Sequence, residues 1–169
     1  KEESVNEDAL CQPLGIYGAL KFAGEKIVEA YNQVFDLPYT IIRPSALYGE
    51  RCVSRRVTQI FVEKALSKEP IIVNGDGSDR LDFTYIGDLT GGLSAVIANE
   101  QSRNQTFNIT YGNARSVSEL VGLLKEEFPD LQVNYESRDK LMPKRGTLSN
   151  QKCRDLLGYE PKFPLENGF

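Results

Sequence analysis

Apolar residues along this chain alternate between two spacings. Ile16, Leu20, Ala23, Ile27, Ala30, Tyr31 and Val34 recur every three or four positions, which predicts an amphipathic helix over about 14–35. Asp36-Leu37-Pro38 ends it. Residues 39–43 are short and β-branched, a buried strand stopped by Pro44. A loop over 45–54 leads to a helix near 55–67. Then come a strand at 71–73, turn residues at 74–77 and β-type residues at 81–86. The Asn-Gly and Asp-Gly pairs between those two β segments suggest a turn or hairpin.

Asp88 stands where an N-cap would open a helix to about residue 98. A strand at 106–110 and a turn at 111–113 follow. Ser116 with Glu119 three residues on forms a capping box for a helix over 117–127. Residues 132–136 read as a strand. Ser149 opens a last short helix that ends at Gly158, ahead of Pro161. This alternation predicts an α/β fold with parallel pairing, not divisible into two self-contained domains. Residues 1–13 are polar and acidic and read as a loop, and nothing there resembles the start of a domain.

Composition narrows the chemistry. The 169 residues carry a net charge of −4, with Arg55-Arg56 and Lys144-Arg145 the only basic doublets, which argues against a nucleic-acid groove. No apolar run approaches the ~20 residues of a membrane helix, and no signal peptide is evident. Cys11, Cys52 and Cys153 form no C-x-x-C, as expected of reduced thiols in a cytoplasmic protein. Histidine is absent, which removes serine–histidine triads, cysteine–histidine pairs and most zinc sites; no metal is expected. Acid–base work therefore falls to Tyr, Lys, Asp, Glu or a thiol.

Tyr17 and Lys21 are four apart, one helical turn, beside the apolar stripe. Gly24 continues their row and keeps it narrow. A phenol has an ordinary pKa near 10, about 4 kcal/mol from service at neutrality, and a neighbouring ammonium favours its phenolate. Among eight tyrosines one such pair arises readily by chance. Asn74 to Gly77 lacks the third glycine of a dinucleotide loop and leads into a strand, so it reads as a turn. Gly15 and Gly18 open a helix, but an acidic loop precedes them.

Four segments occur in order, the first of which holds the pair, and a fifth stretch closes the chain. Pro13, Tyr17, Lys21 and Glu25 fit P-x-x-x-Y-x-x-S-K-x-x-x-E, with Leu20 where serine is common. Arg43-Pro44-Ser45-Ala46-Leu47-Tyr48-Gly49 is similar to R-P-x-N-V-Y-G-P. Gly75-Asp76-Gly77 through Asp88 is similar to G-D-G-x-Q-x-R-D-F-x-x-V-x-D. Phe107 to Gly112 and Leu156 to Pro161 complete the set. On these motifs the chain resembles the extended short-chain dehydrogenase/reductase family, in its sugar-nucleotide epimerase/dehydratase branch, over nearly everything from Pro13 on.

The resemblance implies the C-terminal part of a Rossmann-type enzyme with a small mixed α/β substrate-binding domain. Residues 1–48 would be the last helix and strand of the cofactor domain, and 49–169 mostly substrate domain with segments returning to the first. It implies NAD or NADP as cofactor, a nucleotide-diphosphate sugar as substrate and a homodimer formed through the Tyr-bearing helix. Tyr17 and Lys21 would be catalytic, with Lys21 on the cofactor ribose. Arg43, Pro44, Ser45, Ala46 and Leu47 would run along the nicotinamide, and Ser45 would also begin the substrate pocket.

The arginine that binds pyrophosphate precedes Asp-Phe in the family. Here Leu81 stands there and Arg80 is one residue earlier, so Arg80 serves only if the chain bends. Arg138 and Arg145 are both candidates for the second substrate arginine. The glycine-rich βα turn and the catalytic Ser/Thr that the family carries shortly before the tyrosine are not in these residues, where Ser4, in a charged loop, is the only upstream hydroxyl, so the chain alone is expected to bind cofactor poorly and to be inactive. The rival expectation is a non-catalytic binding or assembly module, or a stable proteolytic core, on the same fold.

Overall fold

The computed structural model describes residues 4–139 and 142–168. The leading acidic loop is thus described from Ser4, and its first three residues lie outside the described range. The segment that follows is tied down rather than free. Val5 bridges in parallel to Leu148, and the Glu7 carboxylate accepts from the Asn108 amide at 2.7 Å.

Helix α1 runs Gly15–Phe35 and leads to strand β1, Thr40–Pro44. Strand β2, Leu47–Tyr48, interrupts the expected 45–54 loop and is followed by α2, Val57–Leu66. Strand β3 is Ile71–Asn74, β4 Arg80–Leu81 and β5 Thr84–Tyr85. Helix α3 covers Ile86–Ala98 and strand β6 Gln105–Ile109. Strand β7, Arg115–Ser116, feeds α4, Val117–Glu127, and β8 is Val133–Glu136. Helix α5, Gln151–Leu157, and a short α6, Leu165–Gly168, close the chain.

The strands form four two-stranded pairs. β1 lies parallel to β6, β2 parallel to β5, β3 parallel to β8, and β4 antiparallel to β7. The hairpin expected between 71–73 and 81–86 does not form. The Asn74–Gly77 turn is present, with Gly75 at φ 84° and Gly77 at φ 81°. It sends the chain away from β3, whose partner is instead the distant β8. Two local signals gave the turn correctly, but pairing is decided by long-range packing.

Two cores result. One joins α2, β3, α4 and Phe83 through Phe61, Ala65, Ile71, Val73, Leu120, Val121 and Leu124. The other joins β6, α3 and α5 through Leu89, Val96, Phe107, Ile109, Cys153 and Leu157, with Ile42 of β1 against it. The chain crosses between them repeatedly, which agrees with an undivided α/β unit.

Buried carboxylates fasten those crossings. Asp82 is fully buried and accepts from the Gly112 and Leu148 amides, both at 3.1 Å. Asp88 is not an N-cap: α3 begins at Ile86 after Tyr85. Its carboxylate accepts from the Lys162 and Phe163 amides at 2.8 and 3.0 Å and holds the C-terminal tail. The Ser116–Glu119 capping box forms as expected. Ser149 stands one residue outside the cap of α5, which is Asn150, and Gly158 ends that helix in the left-handed region.

Candidate functional site

Helix α1 presents two opposite faces. Gly18, Phe22, Glu25, Glu29 and Asn32 are the half-buried positions, turned toward the rest of the chain. The apolar stripe lies about half a turn around from them and is exposed: Ile16, Leu20, Ile27, Tyr31 and Val34 all face away. The amphipathic period is therefore correct, but the stripe packs on nothing among the described residues. No residue of α1 is buried.

Arginine 43 fixes that rotation. Its guanidinium meets the Glu25 carboxylate in two bonds of 2.9 and 2.6 Å and donates a third, at 2.9 Å, to the Glu7 carbonyl. A paired fork of this kind is geometrically specific. It locks Glu25 inward, so the apolar stripe must point outward. The Arg43 side chain, expected along the cofactor, is thus committed to joining α1 to β1.

Tyr17 and Lys21 sit between those two faces. Tyr17 is 72% exposed, and the Lys21 ammonium lies 5.7 Å from the centroid of its ring. A Cβ placed on Gly24 or Gly15 would meet no atom within 4 Å, so open space surrounds the pair. The side chains are adjacent, cationic next to phenolic, and reachable by a large ligand.

The segment after β1 divides by role. The Ala46 carbonyl accepts from the Thr84 amide at 3.1 Å, and Leu47 pairs with Thr84 in the β2–β5 ladder. Ala46 packs on the first core and Leu47 on the second. Pro44 is exposed and Ser45 half-buried. Of the five residues expected along the cofactor only Pro44 is exposed; Arg43, Ser45, Ala46 and Leu47 are half-buried, with Arg43 bonded to Glu25 and Ala46 and Leu47 packed on the cores.

The substrate arginines are also placed. The chain bends after β4, where the Phe83 amide bonds the Leu81 carbonyl at 3.1 Å and β4 and β5 take different partners. Arg80 itself stays within β4, and its guanidinium donates to the Ala114 carbonyl. Arg138 pairs with Asp79 at 2.8 Å and lies against Gly75. Arg145 is exposed. Arg80 and Arg138 lie in one neighbourhood, linked through Asp79; Tyr17 and Lys21 are on another element. No group of three or more metal-ligating side chains occurs among the described residues, and no described helix is long and apolar enough to cross a membrane.

One feature had no sequence signal beyond its aromatic residues. Tyr48, Tyr85 and Phe163 form a chain of tilted rings, with centroids 5.8 and 4.9 Å apart, along a cavity of about 400 Å³. Residues more than a hundred positions apart build it, so no local pattern announces it.

A parallel β1–β6 ladder flanked by helices, carrying a Tyr–Lys pair on the helix before it, defines a Rossmann-type α/β unit of the extended short-chain dehydrogenase/reductase kind. The profile of the NAD dependent epimerase/dehydratase family matches residues 1–110, and the chain belongs to that family. It is 31% identical over 170 residues to an uncharacterized UDP-glucose epimerase of Bacillus subtilis, covering 99% of this chain and 54% of the relative. A dTDP-glucose 4,6-dehydratase of Xanthomonas campestris is 26% identical, with 92% and 47% covered. Among solved structures, UDP-glucuronic acid 4-epimerase from Bacillus cereus, in complex with UDP-glucuronic acid and NAD, superposes with a TM-score of 0.93 at 28% identity, covering 99% of this chain and 54% of that one. UDP-glucose 4-epimerase from Thermotoga maritima, with UDP-glucose, gives 0.92 at 30% identity, with 99% and 55% covered. The chain spans about half the length of the relatives it matches.

Proposed function

We propose that this chain forms part of an NAD-dependent nucleotide-sugar epimerase or dehydratase, with Tyr17 as its acid–base residue. The observation that carries the reading is the placement of Tyr17 and Lys21, adjacent and facing open space on a helix whose orientation is set by the Arg43–Glu25 clamp. Residues 1–48 belong on this reading to the cofactor domain and 49–169 mostly to the substrate domain.

The residues present fit one end of NAD. The space beside Gly24 is open, Lys21 offers ammonium donors to ribose hydroxyls, and Pro44 is exposed at the end of β1. When bound, that cofactor supplies reversible hydride acceptance. The chain's own task is the proton. The Tyr17 phenolate takes the proton of a sugar hydroxyl and later returns it, and the Lys21 ammonium favours that phenolate before the first event and after the second. Arg43 acts as a positioning residue through Glu25. Arg80, Arg138 and Arg145 are the candidate cations for a diphosphate, Arg80 being bonded to the Ala114 carbonyl and Arg138 to Asp79.

The exposed stripe of α1 is the seat for a second protomer of the full-length protein. Alone, the 169 residues bind NAD(P) weakly and turn nothing over. The test is a turnover panel with full-length protein, NAD, UDP-glucose, UDP-glucuronic acid and dTDP-glucose, resolving 4-epimer from dehydrated keto-sugar. Epimerisation or dehydration of at least one supports the proposal; no conversion of any, with folded NAD-loaded protein, contradicts it.

A further inference from the structure

No residue of α1 is buried, so among the described residues its position rests on a few tethers rather than on a core. One lies at its far end, where the Asn32 side chain donates to the Leu37 carbonyl at 2.9 Å and to the Asn104 side chain at 3.3 Å. Two more come from the acidic leading segment. Pro13 lies against Gly18, where an added Cβ would stand 3.3 Å from the Pro13 Cβ, and Gly18 is the neighbour of Tyr17. Further along, Arg43 holds Glu25, one helical turn beyond Lys21, and donates at the same time to the Glu7 carbonyl at 2.9 Å. The leading segment thus grips the helix on both sides of the Tyr17–Lys21 pair.

Glu7 fixes that segment in turn. Arg43 of β1 and Asn108 of β6 stand opposite one another in the parallel ladder, and both reach Glu7. Arg43 donates to its carbonyl, and the Asn108 backbone amide donates to its carboxylate at 2.7 Å. A short bond to a charged acceptor is among the stronger ones a chain can make. Asn108 is itself only 2% exposed, and its side-chain amide donates to the Val5 and Ser149 carbonyls at 3.2 and 3.0 Å. The Val5 amide donates to the Thr147 carbonyl at 3.0 Å, and its carbonyl also accepts from the Ser149 amide at 2.8 Å. The surrounding sequence is polar and acidic throughout, so only the folded chain sets Glu7 apart.

We infer that Glu7 is a positioning residue for the Tyr17 site. Its carboxylate anchors the leading segment to β6, and its carbonyl passes that anchorage through Arg43 and Glu25 to the helix that bears Tyr17 and Lys21. The inference rests on the acid–base role proposed for Tyr17. Proton transfer needs the Tyr17 Oη within hydrogen-bond reach of the sugar hydroxyl, and misplacing a reacting group by about 1 Å can cost up to about 10²-fold in rate. Tyr17 and Lys21 move together on one helix, so the loss falls on turnover. The candidate diphosphate cations Arg80 and Arg138 are bonded on other elements, to Ala114 and Asp79, so substrate binding is spared.

The test is steady-state kinetics of the full-length protein, with NAD and whichever sugar of the turnover panel it converts. Glu7→Ala should lower kcat about tenfold and leave KM for the sugar within about twofold. Glu7→Gln, whose carbonyl oxygen still accepts from the Asn108 amide, should recover most of that loss. Because Glu7 and Glu25 act along one chain of bonds, a Glu7→Ala/Glu25→Gln double variant should fall no more than about twofold below the less active single variant. Should Glu7→Ala not fold, Glu7→Asp, which draws the carboxylate back by one carbon, carries the same expectation. A kcat for Glu7→Ala within about twofold of the parent, a Glu7→Gln no better than Glu7→Ala, or single effects that multiply in the double variant overturns the inference. Tyr17→Phe, run alongside, separates the two readings. Loss of turnover there with an unaffected Glu7→Ala defeats only the positioning role, whereas full turnover in Tyr17→Phe defeats the proposed function itself.

Discussion

Replacing Asp82 with Asn keeps the shape of a fully buried side chain and changes what it can accept. The carboxylate takes two backbone amides, Gly112 on one oxygen and Leu148 on the other, each at 3.1 Å. An asparagine offers one carbonyl oxygen. Its NH₂ group must then face the second amide, donor against donor. A buried donor stranded in this way costs roughly 1–3 kcal/mol. Releasing the charged carboxylate from its dry site returns part of that, so the net loss is about 2 kcal/mol. For a chain of this size each kcal/mol moves the thermal midpoint by about 2–4 °C, so Asp82→Asn should melt about 4–8 °C lower.

The same residue predicts a pH dependence. Burial holds the Asp82 carboxyl above its ordinary value of 3.8, against the pull of the Leu148 and Gly112 amides and the Thr110 hydroxyl. A folded-state value above the unfolded one means that the folded state binds the extra proton, so this group's contribution falls as pH rises from 3.8 through the folded value. The deficit of Asp82→Asn should therefore be largest at the acid end and shrink across that window. Urea or thermal unfolding at several pH values reads both effects. A variant within about 1 °C of the parent at every pH, or a deficit that grows with pH, would refute the assignment of Asp82 as the fastener of these loops.

Two more predictions concern the helices. Ser116→Ala removes the hydroxyl that accepts from Glu119 at 3.1 Å, and should cost about 1 kcal/mol, read as a midpoint about 2–4 °C lower; no change would mean the cap is idle. Glu119, held below its ordinary value of 4.5 by the Ser116 amide and then by Arg115, contributes fully above 4.5 and loses that contribution as pH falls through the folded value. Glu119→Gln should differ from the parent at neutral pH and converge on it in acid, whereas a constant gap would contradict the linkage. Ile27→Glu, on the exposed stripe of α1, should abolish self-association in sedimentation while leaving the midpoint within about 1 °C. A large drop in stability would show that the stripe is covered within the chain.

Much of the architecture was legible because it is written in local chemistry. The 3.6-residue period of α1, the Ser116–Glu119 box and the left-handed Gly158 are each decided within a few residues. What was not legible depends on distant partners. The Asn74–Gly77 turn says nothing of β3 finding β8, about sixty residues away. Asp88 has the composition of a cap, yet serves the tail at Lys162 and Phe163, because a carboxylate accepts wherever unpaired amides lie. Periodicity marked the stripe of α1 as meant for burial. It could not show that the Arg43–Glu25 clamp would turn it outward. The candidate site follows the same division. The Tyr17–Lys21 adjacency comes from helical spacing alone, whereas the fates of Arg43, Arg80 and Arg138 depend on Glu25, Ala114 and Asp79.

If the Tyr17 hydroxyl moves the proton of the sugar, as proposed, the most direct test is kcat of the full-length protein after Tyr17→Phe. This removes one oxygen from a side chain that is 72% exposed here, so the fold should be untouched. kcat should fall by about 10²–10⁴-fold while substrate and NAD still bind. Turnover equal to that of the parent enzyme would contradict it.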